Sequence, residues 1–250
     1  MLIYLNCTAN LGDFLNALPV LSGIYKEWNP RGEKINFIIR NELRRIKGIK
    51  EFLMYQRIFN SVEFDDEVAI FGECILLSSW TREDNDVEYR PIETARYANY
   101  LNDNYSQLPF KVDDNFLLKV PEKMDVEIKN TYYCGDRWDG IGIDARRKSN
   151  TLKDIDKVTF LDYNNDMLTN AYIIKNCKNP FISTFTGISN IADLLNKKQI
   201  VLWGDDIANW DNKPITYSFN KHYYGNRNSH LMYKGDFEID KIDEYFNLQG

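Results

Sequence analysis

The sequence predicts an α/β protein built from two Rossmann-like halves that face one another. Short apolar segments alternate with amphipathic helical segments, and this alternation runs twice along the 250 residues. Such alternation is expected to give parallel sheets with right-handed crossovers, which place the functional loops on one sheet edge. Between the two series lies a charged, proline-containing segment, residues 106–136, that is typical of an interdomain connection.

The first half begins with a strand and a helix. Residues 2–5 (LIYL) form a nearly continuous apolar run, which is typical of a strand buried on both faces. Apolar side chains then recur at helical spacing and predict one amphipathic helix over residues 14–28. The alternation continues with a strand at 34–40, a glycine-interrupted helical stretch at 41–55, strand-like residues at 67–80 and a helix at 91–105. We therefore assign residues 1–120 to the first domain.

The second half restarts the same alternation. Its predicted elements are a strand at 140–146, a strand at 158–163, a helix at 166–177, a strand at 180–185, a helix at 187–198 and a strand at 199–203. These elements define a second domain at 137–225. An aromatic and polar tail, residues 226–250, ends in a predicted helix near 240–246.

The composition indicates a folded, soluble protein. Hydrophobic residues make up 44% of the chain and aromatic residues 14%, which is ample for a packed core. The net charge of −6 argues against a protein that coats nucleic acid by charge alone. We find no signal peptide and no membrane span, and the four cysteines are scattered, so we expect reduced thiols in the cytoplasm.

A glycine and an aspartate lie where the first strand gives way to its helix. In the segment NLGDFLNALP, Gly12 and Asp13 fall at the helix N-terminus, near the carboxyl end of the strand. Ligands of open α/β sheets bind at this edge, which makes Asp13 a candidate for chemistry. An aspartate here also caps a helix, because its carboxylate accepts hydrogen bonds from backbone N–H groups. These residues alone leave both roles open.

The segment GIGIDARRKSN carries three adjacent cations. Arg146, Arg147 and Lys148 follow the predicted strand at its carboxyl end. Arginine makes bidentate contacts to phosphate and lysine acts as a point charge, so the three residues can clamp a diphosphate. A solvated basic turn is the alternative interpretation.

The segment FISTFTGISN joins a predicted strand to a predicted helix. Thr184 and Thr186 supply hydroxyl groups, and Gly187 permits close approach of a ligand to the backbone. The helix begins near Ser189, and free N–H groups at a helix N-terminus bind phosphate. Serine and threonine are also ordinary helix caps, and the chain contains neither GxGxxG nor a P-loop motif.

We expect no metal site. Asp205, Asp206 and Asp211 follow the last apolar strand, but they lack the spacing of a calcium loop and favour a solvated turn. The two histidines, His222 and His230, lie in the tail without a serine or cysteine motif that would form a catalytic pair.

Taken in order, these segments resemble the heptosyltransferase-like glycosyltransferases. That family opens with a strand and a GLGD…LPAL loop, matched here by NLGDFLNALPVL at residues 10–21. The basic loop GIGIDARRKSN and the turn TGISNIADLL are similar to family segments, although Asn190 stands where the family usually has His. The final strand with VLWGDD is similar to the family's strand and FG. The resemblance implies the GT-B fold, with two Rossmann-like domains facing a central cleft.

The resemblance also implies an activity. A sugar would pass from a nucleotide-diphosphate sugar to an acceptor hydroxyl with inversion, and Asp13 would act as general base. No metal and no further cofactor would be required, because the donor is a co-substrate. The implied donor-binding residues come from both halves of the chain and are Gly12, Arg146, Arg147, Lys148, Thr184, Thr186, Gly187, Ser189 and Asn190.

The acceptor stays open between two classes. The family suggests a saccharide, whereas a compact chain of AT-rich character suggests a phage enzyme in the host cytoplasm that glycosylates 5-hydroxymethylcytosine in DNA. For DNA, Arg40 and Arg44 belong to a basic stretch that would meet phosphates, and Trp80 offers an aromatic wall for a flipped base. A solvated helix face also explains that stretch. A third hypothesis is a nucleotide-sugar-binding module without turnover.

Overall fold

The computed structural model describes residues 1–6, 11–28, 34–68, 74–78, 91–108, 110–135, 152, 155–184, 186–202, 229–232 and 239–242. These ranges form two separate parallel sheets with helices packed against them. The predicted α/β class with two lobes, rather than one continuous sheet, is confirmed. No helix in these ranges has the length and apolar character needed to cross a membrane.

The first lobe contains four parallel strands, which are β1 (Leu2–Asn6), β2 (Ile35–Ile39), β3 (Phe59–Phe64) and β4 (Ile75–Ser78). Their spatial order is β3-β2-β1-β4. The helices of this lobe are α1 (Leu11–Leu15), α2 (Leu18–Trp28), α3 (Ile49–Tyr55) and α4 (Ile92–Asn104), with a 3₁₀ helix at Asn41–Arg45. The apolar faces of β1 and β2 pack against α1, α2 and α3 because alternate strand residues point to the same side.

The second lobe contains five parallel strands, which are β5 (Tyr132–Gly135), β6 (Val158–Phe160), β7 (Phe181–Thr184), β8 (Gln199–Leu202) and β9 (Ser229–Met232). Their spatial order is β6-β5-β7-β8-β9. The helices are α5 (Met167–Asn176) and α6 (Gly187–Leu194), with a 3₁₀ helix at Ile239–Lys241. Ile239 and Ile242 of the tail join the apolar cluster of Ile182 and Ile200, so this part of the tail packs on the second sheet.

The first helical segment differs from its prediction. The expected single helix at 14–28 is divided, because α1 ends at Leu15 and α2 begins at Leu18. Pro19 has no N–H group to donate to the carbonyl of Leu15, so the ladder of hydrogen bonds is interrupted there. The amide of Ala17 bonds instead to the carbonyl of Phe14, at 3.1 Å, in a tighter turn.

The strands differ from their prediction at three places. β3 was not predicted, because polar residues interrupt its apolar side chains in FNSVEF. The second sheet begins with β5 and ends with β9, so it extends past both ends of the predicted range 137–225. The strand predicted at 140–146 lies outside the described residues.

The two lobes pack directly on each other. Gly48 has a φ of +73°, which glycine adopts without strain, and a Cβ atom there would lie 2.7 Å from the Cβ atom of Asp166. Next to it, the amide of Met167 donates to the carbonyl of Lys47 at 2.8 Å. The connecting segment adds a bond from the amide of Leu118 to the carbonyl of Leu194, at 2.9 Å. These contacts fix helices of one lobe against helices of the other.

Candidate active site

In each sheet, the predicted site residues follow a strand that lies next to the point where the order of the strands changes direction. In the first sheet the reversal lies between β1 and β4, and α1, with Gly12 and Asp13, follows β1. In the second sheet it lies between β5 and β7, and Thr186 and Gly187 follow β7. The carboxyl ends of strands at such a reversal form the crevice in which open α/β sheets bind ligands.

Helices α1 and α6 meet near their N-termini across the lobe boundary. A Cβ atom on Gly187 would lie 2.6 Å from the Cβ atom of Leu11 and 2.9 Å from the amide nitrogen of Gly12. A Cβ atom on Gly12 would lie 3.2 Å from Oδ1 of Asn190. No side chain fits at position 187 without moving one of the helices, so the close approach requires glycine. Three residues predicted to share one site, Gly12, Gly187 and Asn190, are therefore neighbours.

The residue that precedes α6 carries a polar group without a partner. Thr186 is 8% exposed, and its Oγ1 is buried without a hydrogen bond. Thr186 and Ser189 have a capping-box arrangement, in which the Thr186 side chain lies at the Ser189 amide and the Thr186 amide donates to Oγ of Ser189 at 3.3 Å. The Ser189 amide makes its hydrogen bond with the Thr186 carbonyl, at 3.0 Å, and Oγ1 is left without one. A buried hydroxyl left in this state destabilises the protein, so it marks a place where a ligand can supply the missing bond.

Ser189 supports the helix from inside. Its hydroxyl donates to the Thr186 carbonyl at 2.5 Å, and its own carbonyl accepts from Nε2 of Gln199 at 2.9 Å. Gln199 in turn accepts from the hydroxyl of Ser183 at 3.1 Å. Ser189 is fully buried and Thr184 is 1% exposed, so both of these predicted donor-binding residues lie inside the lobe. The buried network holds α6 against β7 and β8.

Asp13 lies in the first turn of α1, and α4 holds this helix in place. The hydroxyl of Tyr97 donates to the backbone carbonyl of Asp13 at 3.1 Å. The hydroxyl of Thr94, one turn earlier, donates to the carbonyl of Asn16 at 2.9 Å. Both α4 side chains are fully buried. Neither residue was predicted from the sequence to support the site, although their spacing of three residues places them on one face of the predicted helix at 91–105.

The two predicted acceptor-binding arginines are paired with carboxylates. The guanidinium of Arg44 bonds to both carboxylate oxygens of Asp66, at 2.9 and 3.1 Å. Arg40 pairs with Glu42. Neither arginine is an unpaired cation that awaits a phosphate. The other predicted cations, Arg146, Arg147 and Lys148, and the predicted aromatic wall Trp80 lie outside the described residues.

A cavity of about 660 Å³ lies at the opposite edge of the first sheet. Its walls include Leu2, Ile35 and Ile75, which stand at the amino ends of β1, β2 and β4. Because ligands of α/β sheets bind at the carboxyl ends, we do not assign the predicted donor to this cavity. Within the described ranges, His, Cys, Asp and Glu side chains form no group of three or more that could hold a metal ion.

Comparison with solved structures reveals the fold. E. coli heptosyltransferase WaaC with ADP matches with a TM-score of 0.58 and 12% identity, and the match covers all of both chains. The fold is GT-B. The glycosyl transferase family 9 protein of Veillonella parvula matches equally well, over all of this chain and 90% of the other, at 12% identity and a TM-score of 0.58. E. coli WaaC with ADP-2-deoxy-2-fluoro heptose also matches over both whole chains, at 12% identity and a TM-score of 0.54.

Comparisons of the sequence itself gave no relative. No protein-family model and no curated protein matches the chain. The GT-B likeness therefore depends on the arrangement of strands and helices, and the NLGD and TG segments found in the sequence lie at matching places in that arrangement: after β1 and after β7.

Proposed function

We propose that this protein is an inverting glycosyltransferase that uses a nucleoside-diphosphate sugar and transfers the sugar to a saccharide hydroxyl. The observation that carries this proposal is the meeting of α1 and α6, where Gly187 lies against Gly12 and directly follows Thr186, whose buried hydroxyl makes no hydrogen bond. A diphosphate accepts hydrogen bonds from a hydroxyl and from the free N–H groups of a helix N-terminus. The WaaC structures contain ADP or an ADP-heptose analogue, which supports the same donor class here.

The proposed reaction uses both lobes. Asp13 accepts the proton of the acceptor hydroxyl, whose oxygen attacks the anomeric carbon. The bond from that carbon to the diphosphate oxygen breaks, and the nucleoside diphosphate leaves with both electrons. The N-terminal turn of α6 stabilises the charge that develops on this leaving group. By the resemblance, Arg146, Arg147 and Lys148 add positive charge, and the transfer requires no metal ion.

The proposal favours a saccharide over DNA as the acceptor. The DNA hypothesis depended on cations in the first lobe that would meet phosphates. Arg40 and Arg44 are instead engaged with Glu42 and Asp66. No observation on the described residues favours a flipped base.

The decisive experiment measures release of nucleoside diphosphate from a panel of ADP-, UDP- and GDP-sugars. Each donor is offered alone, with an oligosaccharide mixture, and with DNA that contains 5-hydroxymethylcytosine, in buffers with and without EDTA. We expect release that depends on the oligosaccharides and persists in EDTA. Release that requires the modified DNA would select the DNA hypothesis, and loss of release in EDTA would refute metal independence. Donor binding without release under every condition would identify a binding module.

A further inference from the structure

Charged residues of both signs line the carboxyl edge of the first sheet. They follow β2 and β3, which lie one and two strand spacings from β1, or about 5 and 10 Å from the strand that leads to Asp13. A saccharide with its reacting hydroxyl at Asp13 would extend over this edge within one or two sugar rings. We define the ionic strip as Arg40, Glu42, Arg44, Lys50, Glu63, Asp66 and Glu67.

The cations of the ionic strip are held by more than one contact. Arg44 bonds to both oxygens of Asp66 and reaches Oε1 of Glu67 at 3.1 Å. The ammonium of Lys50 lies 2.6 Å from Oε2 of Glu67. Both cations also rest on the ring of Phe64, at 4.5 and 4.7 Å from its centroid. The positive charge of both cations is therefore already balanced by carboxylates of the strip, which weakens their attraction for a phosphate on the acceptor.

Two carboxylates of the ionic strip, those of Glu42 and Glu67, have lowered pKa values. The hydrogen bond from Lys50, together with one from the backbone amide of Phe64, lowers the pKa of Glu67 to about 2. The hydrogen bond from Arg40 likewise lowers the pKa of Glu42. An anionic group that approached the strip at neutral pH would therefore meet negative charge.

Positive and negative charges are balanced along this edge. The ionic strip contains three cations and four carboxylates, and Arg45, Lys47 and Asp65, which also follow β2 and β3, bring the total to five of each sign. The described part of this edge therefore offers an acceptor no surplus positive charge.

We propose that the part of the acceptor that lies over the ionic strip is an uncharged saccharide. This inference rests on the proposed function and narrows its acceptor class. Sugar hydroxyls donate hydrogen bonds to carboxylates and accept them from guanidinium groups, so they bind the strip without breaking its ion pairs. A phosphorylated saccharide or a polynucleotide would instead meet an edge with no surplus cation to balance its charge.

The test compares acceptors that differ only in charge. The intact protein is applied to an array of neutral di- to hexasaccharides printed beside the same glycans carrying one phosphate ester, with a DNA oligonucleotide as a further polyanion. We expect binding to at least one neutral glycan, and binding about fivefold weaker or more to its phosphorylated partner. Preference for phosphorylated glycans or DNA would overturn the inference, and so would an absence of binding to every neutral glycan.

A pair of double variants shows whether the strip causes the preference. Asp66→Asn with Glu67→Gln removes two negative charges from the strip, and Asp103→Asn with Glu122→Gln removes two from exposed positions elsewhere. In the first pair, the ratio of the affinity for the neutral glycan to that for its phosphorylated partner should fall close to one. The control pair should keep the wild-type ratio of affinities. Equal ratios in both pairs would contradict the inference. Failure of the proposed function is seen separately, as absence of nucleoside diphosphate release with every donor and acceptor.

Discussion

At the carboxyl edge of the first sheet, ion pairs follow β2 and β3, whereas at that edge of the second sheet hydroxyl groups and helix N–H groups follow β7. Asp13 and the ionic strip belong to the first edge, and Thr186 with Gly187 belongs to the second. An anionic donor group is attracted to the second edge and meets no surplus positive charge at the described part of the first. The difference supports the proposal that the donor binds to the second lobe and that the first lobe carries the base and the acceptor.

The two edges also differ in how they are held. The ion pairs of the first edge are exposed to solvent, so each contributes little to stability. The second edge rests on the buried network of Ser183, Ser189 and Gln199, where loss of one partner costs about 1–3 kcal/mol. Substitutions at the first edge should therefore change specificity or turnover, and those at the second should also change folding.

The largest expected effect is a loss of turnover when Asp13, on the first edge, is replaced. Asp13→Asn keeps a side chain that caps a helix but removes the proton acceptor, so turnover should fall by about 100-fold or more while the melting temperature stays within error. Nucleoside diphosphate release and thermal unfolding are measured on one preparation, together with donor affinity. Near-normal turnover would remove Asp13 from the mechanism. If the variant unfolds, Asp13→Glu provides the second measurement, since it restores a carboxylate.

The next largest expected effect is a loss of stability when a side chain is added where α1 and α6 meet. Gly187→Ala places a Cβ atom 2.6 Å from that of Leu11, so the overpacked helices should lose about 1–3 kcal/mol of stability. For a chain of this size each kcal/mol lowers the melting temperature by about 2–4 °C. Gln107→Ala, at an exposed turn, is the matched control and should leave the melting temperature unchanged. Equal melting temperatures for the two variants would mean that α1 and α6 do not approach as closely as described.

The smallest effect is a dependence on pH at the first edge. The folded pKa of Glu67, about 2, lies below that of an unfolded glutamate, so its ion pair stabilises the protein above about pH 4.3 and this contribution is lost as the pH falls toward 2. The wild type should therefore be slightly more stable than Glu67→Gln at pH 7, and the difference should disappear near pH 2. Denaturant unfolding across this range measures it. If the difference in unfolding free energy between the wild type and Glu67→Gln grew as the pH fell, the predicted direction of the effect would be wrong.

Much of the fold was predictable from local patterns. Short segments rich in apolar residues identified β1, β2, β7 and β8, because strands buried on both faces carry few polar residues. The same criterion missed β3, whose residues Asn60, Ser61 and Glu63 are half-buried or exposed. The break before α2 depended on Pro19, which a count of apolar positions does not weigh.

The candidate site was predictable only in part. The sequence placed Gly12, Asp13, Thr186 and Gly187 at helix N-termini, because a strand, a turn with glycine and an apolar helix follow one another locally. It could not show that Gly187 touches Leu11, since these residues are far apart in the chain and meet only through packing of the lobes. The pairing of Arg44 with Asp66 was hidden because these residues follow different strands of the first sheet, β2 and β3, and meet only when those strands pair.

Thr186 offers the most direct measurement of the central claim, that the N-terminus of α6 binds the donor diphosphate. Thr186→Val removes a hydroxyl that has no partner in the described structure, so the ligand-free protein should melt at the same temperature or higher, while ADP, the calorimetric probe, should bind about tenfold more weakly or worse. Thr159→Val, which removes the 2.6 Å bond between Thr159 and Thr131 on the same lobe, should do the opposite: lower the melting temperature and leave ADP affinity unchanged. ADP affinity that is unchanged in Thr186→Val, or absent in the wild type for ADP, UDP and GDP alike, would contradict the claim.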